Sequence, residues 1–220
     1  MISTMFDLHV WYPWMKEWTF KTEFTPVTEE EKAQWLECMD KKGDFSHELA
    51  NRINQKANQI GYPVFVKLSS RSPKDYSTGP QKNIKDIIRT LCNSMRIYED
   101  LRGFVCQSPI KVVAIRSFKT IDKASEFRCL SKAGKFVGMS QYSYREKFES
   151  IPLEEARSFA GIVHQELIKF IGFGDFIFDI GKTAKGWKLI ELNPFDYETD
   201  PCLFDWKKDN FSQFEARIVE

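Results

Sequence analysis

Two acidic residues and an asparagine in the C-terminal part of the chain are of the types that bind a hard metal ion. Asp179 lies in the sequence FIFDI, and Glu191 and Asn193 lie two residues apart in ELNPF. Residues two apart in a strand share a face, so Glu191 and Asn193 project together, and a hairpin would bring Asp179 beside them. Neighbouring carboxylates repel each other unless a cation lies between them, and an oxygen-only donor set suits Mg²⁺. The alternative is that both acids line a solvated sheet face.

A lysine in an apolar segment is the second candidate. Lys67 lies in PVFVKL, where it shares a strand face with Phe65 while Val64, Val66 and Leu68 face the other way. A buried ammonium group needs a counter-charge. The triphosphate of a nucleotide would supply it. The alternative is an edge-strand lysine whose stem lies on the sheet while its ammonium group reaches water.

Two arginines lie in segments that read as strands. Arg116 and Arg128 could each hold a phosphate through two hydrogen bonds, or each could form a structural ion pair with Glu126 or Asp122. The sequence alone favours the ion pair.

The elements that would position these residues are four helices and six short strands. Helical periodicity and capping residues predict helices that begin after Thr28, Ser46 and Asn83 and at Pro152. The third runs as far as Met95. Strands are predicted over 64–68, 111–118, 126–131, 135–141, 176–180 and 187–192, with hairpin turns at 131–134 and 181–186. This pattern predicts an α+β fold with largely antiparallel sheets, and residues 69–81 read as its most flexible stretch.

Composition excludes several classes of protein. The 220 residues carry 32 basic and 31 acidic side chains, a net charge of +1, so no overall field attracts nucleic acid or an anionic membrane. No apolar run is long enough to cross a bilayer. The cysteines are scattered, which argues against disulfides and a zinc cluster and favours the reducing cytoplasm; they are Cys38, Cys92, Cys106, Cys129 and Cys202. There is no Walker A motif, so any phosphate would have to be bound by side chains.

A series of short motifs resembles the cell division cycle protein 123 family, and the likeness runs nearly from end to end. The motifs are WYP, VFVKL, SPKD, EFRC, GKFVGMSQY, FIFDI, ELNPF and TDPCLFDW. The last two are the most specific. The resemblance implies an ATP-grasp-like fold of two lobes around a nucleotide cleft, with 1–115 as the N-terminal lobe and 116–220 as the C-terminal lobe.

The same resemblance assigns roles to the candidate residues. It implies that Asp179, Glu191 and Asn193 bind magnesium and that Lys67 touches the phosphates of ATP. Arg116 would lie by the interlobe connector whose backbone meets adenine, Phe118 would join the nucleotide-binding residues, and Arg128 would project toward the phosphates; the implied ligands are therefore ATP and Mg²⁺.

Members of this family resemble assembly chaperones that bind the gamma subunit of eukaryotic translation initiation factor two, which makes that subunit the expected partner. The alternative is an ATP-grasp ligase that joins a carboxylate to an amine, although no acceptor pocket is evident. The chain departs from the family in having Glu191 where Asp is usual, Ser69-Ser-Arg71 in place of Asn-Trp-Ser, and Tyr142-Ser143 in place of Arg-Asp. Typical members also continue past the position of Glu220 with a segment implicated in partner binding.

Overall fold

The computed structural model describes residues 4–105, 108–172 and 174–220, so Cys106 lies outside the described residues. The chain divides into two compact units. Unit 1 comprises Met1–Val10 and Phe20–Phe118, and unit 2 comprises Trp11–Thr19 and Lys119–Glu220. The assignment of 1–115 and 116–220 as the two lobes of a nucleotide-binding protein stays a prediction.

Helices and strands alternate irregularly along the chain. The α-helices are α1 (Leu8–Met15), α2 (Glu29–Met39), α3 (His47–Ile60), α4 (Ile84–Asn93), α5 (Met95–Arg102) and α6 (Leu153–Ile171). The strands are β1 (Thr22–Val27), β2 (Val64–Leu68), β3 (Lys111–Ser117), β4 (Glu126–Lys132), β5 (Lys135–Gln141), β6 (Phe176–Thr183), β7 (Gly186–Pro194) and β8 (Glu215–Arg217).

Unit 1 contains a three-stranded antiparallel sheet with the order β1-β3-β2. One face of the sheet packs against the helical layer through a core that includes Val66, Ile115, Leu49, Ile53 and Ile87. Because side chains alternate along a strand, the intervening residues of β2 and β3 project from the opposite face. This alternation matches the prediction for residues 64–68.

The predicted helix starts in unit 1 are confirmed. The side chains of Thr28, Ser46 and Asn83 each accept a hydrogen bond from the third residue of the helix that follows, and Thr28 forms a complete capping box with Glu31. The prediction that the third helix continues to Met95 is wrong. Ser94 adopts an extended backbone and caps α5 through Ile97 N, which ends α4 at Asn93.

Unit 2 is built on a five-stranded sheet with the order β7-β6-β4-β5-β8, antiparallel except for the β5–β8 pair. Both predicted hairpins are present. In the β4–β5 turn, Ala133 and Gly134 have φ of 48° and 73°, the left-handed pair that a two-residue hairpin turn requires. The fold is therefore α+β with largely antiparallel sheets, as the sequence predicts.

Each face of the sheet in unit 2 is covered differently. Helix α6 covers one face, where its buried His164 stacks on Phe136, Phe176 and Phe178. On the other face, Leu130 and Ile177 pack with Phe204 and other aromatic residues of the C-terminal segment. The strand residues beyond this aromatic cluster on the same face are Arg128 and Asp179.

Neither a membrane span nor a disulfide occurs in the described ranges. None of the described helices is long and apolar enough to cross a bilayer. Cys38, Cys92, Cys129 and Cys202 are free thiols.

Candidate functional site

Arg128 and Asp179 form a buried ion pair at the centre of the unit 2 sheet. They lie opposite each other on β4 and β6. The Arg128 Nε donates to Asp179 Oδ1 at 2.8 Å, and Nη2 donates to Oδ2 at 2.7 Å. This is the parallel two-bond geometry that makes arginine–carboxylate pairs strong and directional. The carboxylate that binds Arg128 is thus one of the predicted metal ligands and not Glu126 or Asp122, the acids considered from sequence.

Glu191 and Asn193 lie beside this pair. Asp179 is opposite Glu191, and Ile177 is opposite Asn193, so all four side chains share a sheet face. Next to Asp179 the register shifts, which leaves Ile190 as an extra residue in β7. Such a bulge re-aims the following side chains. The Asn193 amide Nδ2 lies 3.5 Å from Asp179 Oδ2, and both Glu191 and Asn193 are half-buried.

The surroundings of Arg128 keep its guanidinium group protonated and fix its position. Burial alone would lower the pKa of Arg128, but the charge and hydrogen bonds of Asp179 outweigh burial and raise the pKa above its usual value. The guanidinium carbon also lies 5.0 Å from the centre of the Tyr142 ring, a cation–π distance. Arg128 Nη1 donates to the backbone carbonyl of Asp200. Arg128 therefore stays positive and is held on three sides.

The donor set fits one magnesium ion if Asn193 takes part. No group of three or more His, Cys, Asp or Glu side chains in residues 4–105, 108–172 and 174–220 could hold a metal. A metal on this face would therefore use the two carboxylates together with the Asn193 amide oxygen, which a half-turn of the amide brings toward Asp179. Phosphate or water oxygens would supply the remaining ligands of such an ion.

The predicted residues of unit 1 lie on the sheet face opposite the helical core. Lys67 is opposite Ala114, and Arg116 is opposite Phe65. Residues that oppose each other across a ladder share a face, so Lys67 and Arg116 project to the same side. Both are buried, with 3% and 5% of their surface exposed, and the Arg116 guanidinium carbon lies 4.8 Å from the centre of the Phe20 ring. Lys67 therefore lies on an edge strand, as the alternative supposes, but its side chain is buried and does not reach open water.

Phe118 lies just beyond the end of β3. Its backbone N–H donates to the carbonyl of Pro63 at 3.3 Å, and its side chain is half-buried. The Phe118 N–H is thus engaged within unit 1.

Sequence reasoning missed the acidic residue near Lys67. Asp7 is 7% exposed, and burial raises the pKa of its carboxyl group, although the charges of His9, Lys67 and Lys111 and a hydrogen bond from Ser108 act in the opposite direction. Asp7 thus supplies part of the counter-charge for Lys67. No motif or spacing signals this contact, because the two residues are far apart in the chain.

Segment 69–81 is tied to α5. Ser70 Oγ donates to the buried carboxylate of Asp100 at 2.6 Å, and Arg71 donates to the same carboxylate at 3.0 Å. Farther along, Asp75 accepts a hydrogen bond from Ser94 Oγ at 2.7 Å. Ser70 and Arg71, two of the three residues that replace the family's Asn-Trp-Ser, therefore both donate hydrogen bonds to the buried carboxylate of Asp100.

Comparison with solved structures places the fold in the ATP-grasp class. The D-alanine–D-alanine ligase of Bacillus anthracis in complex with ATP has a TM-score of 0.52 and 13% sequence identity, covering 91% of this chain and 59% of that chain. A structure of Cdc123 from Schizosaccharomyces pombe has a TM-score of 0.81 with 19% identity, covering 98% of this chain and 96% of that one. At these identities the likeness shows the fold alone.

Sequence comparison identifies the family. The D123 family model matches residues 15–217, so the chain belongs to the D123 family. The "Translation initiation factor eIF2 assembly protein" of Xenopus laevis is 30% identical over 203 residues, covering 82% of this chain and 60% of the relative. The chain thus spans about three fifths of that relative's length. The resemblance to the cell division cycle protein 123 family is confirmed.

Proposed function

We propose that this chain binds ATP with Mg²⁺ and assists the assembly of translation initiation factor eIF2 in the cytoplasm through the gamma subunit. The nucleotide part of the proposal is carried by one observation, the arrangement of Arg128, Asp179, Glu191 and Asn193 on one sheet face of unit 2. The assembly part is supported by membership of the D123 family, in which relatives carry the name of eIF2 assembly proteins.

Asp179, Glu191 and Asn193 are the proposed metal ligands. Magnesium, when bound there, would neutralise charge on the phosphate oxygens of the nucleotide. Arg128 has a second anion available to it in the phosphates, since its planar donor fork suits phosphate as well as carboxylate. When Asp179 binds the metal, a phosphate of the nucleotide would thus replace it as the anionic partner of Arg128.

Three residues of unit 1 are also proposed to bind nucleotide. Lys67 would contact the phosphates, because it is a buried cation that shares a sheet face with a second buried cation, Arg116. Arg116 and Phe118 are proposed to lie near the adenine. Since the N–H of Phe118 already binds Pro63, Phe118 would contribute through its carbonyl or its ring.

Calorimetric titration with Mg-ATP tests the nucleotide site. Asp179→Asn should lower the affinity for Mg-ATP by about 10-fold or more, because it removes one charged ligand of the metal. Glu166→Gln is the matched control, since Glu166 lies on α6 and its carboxylate pairs with Lys169. Equal affinity in Asp179→Asn and the unmodified chain would refute the assignment.

Nucleotides of different phosphate number test the role of Lys67. Lys67→Met should weaken ATP more than AMP, because its proposed partner is a phosphate of the triphosphate tail. Equal losses for ATP and AMP would place Lys67 outside the phosphate site. Circular dichroism of the variant separates this result from misfolding.

Capture of the eIF2 gamma subunit tests the assembly role. The full chain, immobilised, should retain purified gamma subunit better with Mg-ATP than without it, and Asp179→Asn should lose this difference. The alternative, an ATP-grasp carboxylate–amine ligase, predicts ADP release that depends on a small carboxylic acid and an amine. Release of ADP under these conditions, without capture of the gamma subunit, would contradict the assembly proposal and support the ligase.

A further inference from the structure

Two thiols of unit 1 face each other at the margin of its core. Cys38 Sγ on α2 and Cys92 Sγ on α4 are 3.6 Å apart, although 54 residues separate them in the chain. Both residues are half-buried and pack against the apolar cluster that α2 and α4 share with β2. The other described cysteines, Cys129 and Cys202, belong to unit 2.

We infer that Cys38 and Cys92 are a site of reversible disulfide formation. A disulfide bond joins sulfurs about 2 Å apart, so closure from 3.6 Å requires only that the two side chains move together by about 1.5 Å. Both cysteine residues are partly exposed at the edge of the core, which gives a low-molecular-weight oxidant a route to the pair. The inference does not depend on the proposed function.

The reaction balances with a low-molecular-weight disulfide, such as glutathione disulfide, as oxidant. One protein thiolate attacks a sulfur of glutathione disulfide, breaks its S–S bond and releases one glutathione thiolate. The second protein thiol loses its proton to solvent and attacks the mixed disulfide, releasing the second glutathione. The protein gives up two electrons and two protons, and one glutathione disulfide becomes two molecules of glutathione.

The closeness of the two thiols favours the second step. Burial raises the pKa of the Cys92 thiol, and the neighbouring Cys38 raises it further. The thiolate is the attacking species, so the first step requires that one of the two thiols lose its proton. Whichever cysteine forms the mixed disulfide, the other lies 3.6 Å away and resolves it.

The bond would cross-link two helices of unit 1. Its loop covers more than 50 residues, and constraining a loop of that length in the unfolded chain stabilises the fold. The melting temperature of the oxidised chain should therefore rise by several degrees, on the order of 5 °C, and dithiothreitol should reverse the rise.

Peptide mapping tests the inference directly. The reduced full chain is incubated with glutathione disulfide, alkylated, and digested with trypsin without reduction. Cleavage after Lys32 and Lys41 and after Arg89 and Arg96 gives peptides 33–41 and 90–96, each with one cysteine. We expect these two peptides to be joined, with the chain lighter by two hydrogens.

Single variants distinguish a specific pair from general oxidation. Cys92→Ser should retain one glutathione on Cys38, and Cys38→Ser one on Cys92, because in each variant the resolving thiol is gone. Cys202→Ser, the matched control in unit 2, should keep the cross-link. Glutathione that stays on Cys38 in the unmodified chain, or cross-links to the Cys202 peptide (189–207) in equal yield, would overturn the inference. Native spectra of each variant exclude a folding defect, and Cys38→Ala replaces Cys38→Ser where needed.

Discussion

Arg128 and Asp179 bind each other through two hydrogen bonds in the middle of a sheet, with only 6% and 1% of their side chains exposed. Their partnership means that the charge of Asp179, the acid proposed to hold a metal, is balanced by Arg128. A buried ion pair of this kind adds little stability compared with apolar residues of similar size, but loss of one partner leaves the other charge buried and alone.

The first prediction concerns this pair. Asp179→Leu should lower the free energy of unfolding by about 3–5 kcal/mol, because it strands the Arg128 charge. The double variant Arg128→Met/Asp179→Leu should recover most of the loss while remaining unable to bind Mg-ATP. Urea denaturation followed by tryptophan fluorescence measures both. A double variant no more stable than Asp179→Leu would show that the loss came from packing and not from charge.

The second prediction concerns Ser94, which divides α4 from α5. Its hydroxyl accepts a hydrogen bond from Ile97 N and donates one to Asp75 at 2.7 Å. Ser94→Ala should therefore cost more than the roughly 1 kcal/mol of a lost helix cap, because the carboxylate of Asp75 also loses a donor. Ser46→Ala is the control, since Ser46 caps α3 through Leu49 N and its hydroxyl is 3.4 Å from the Glu48 carboxylate, a longer contact than that of Ser94 with Asp75.

Chemical denaturation of both serine variants gives the comparison. Equal losses would mean that the Asp75 contact contributes nothing measurable. A larger loss in Ser94→Ala, abolished in the background of Asp75→Ala, would attribute the difference to this contact.

Local signals explain what the sequence predicted well. Helix caps act within three residues, and the left-handed turn at Ala133 and Gly134 lies within one hairpin. Such contacts can be read from neighbouring residues. The grouping of Asp179 with Glu191 and Asn193 was also accessible, because strand alternation and one hairpin are enough to place them on the same face.

The missed features either break a local rule or join distant residues. Pro13 lies inside α1 and Pro26 lies inside β1, and because proline normally interrupts helices and strands, neither element was predicted. Pro26 is tolerated because β1 is an edge strand. The partner of Arg128 could not be read from the sequence, because 51 residues separate it from Asp179 and the register of β4 against β6 decides the pairing. The same holds for Asp7 and Lys67.

The third prediction concerns pH. Burial lowers the pKa of His164 below its ordinary value of 6.5. As pH falls below about 6.5, the unfolded chain takes up a proton at this histidine while the folded chain does not. Stability should therefore decrease as pH falls from about 6.5 until the lowered pKa of the folded state is passed.

Urea midpoints at pH 7.5 and 5.5 measure this effect. His164→Gln keeps a polar group near Ser131, whose Oγ lies 3.0 Å from the His164 Nε2, but cannot titrate, so its midpoint should depend less on pH. His47→Gln is the control, because His47 is exposed. A pH dependence of His164→Gln equal to that of the unmodified chain would show that other groups cause it.

The fourth prediction concerns the close approach of Gly138 on β5 to the aromatic cluster. A Cβ at this position would lie 2.9 Å from Phe204 Cζ and 3.3 Å from Leu130 Cδ1. Phe204 is 5% exposed and packs on Phe211 at a ring distance of 5.7 Å, so it has little room to withdraw. Gly138→Ala should therefore cost about 1–3 kcal/mol of stability by overpacking.

Phe204→Leu removes the ring that would collide, so Gly138→Ala should cost clearly less in that background. Thermal denaturation of the two single variants and the double variant completes the cycle, and strictly additive losses would show that Gly138 is required for a reason other than the Phe204 ring.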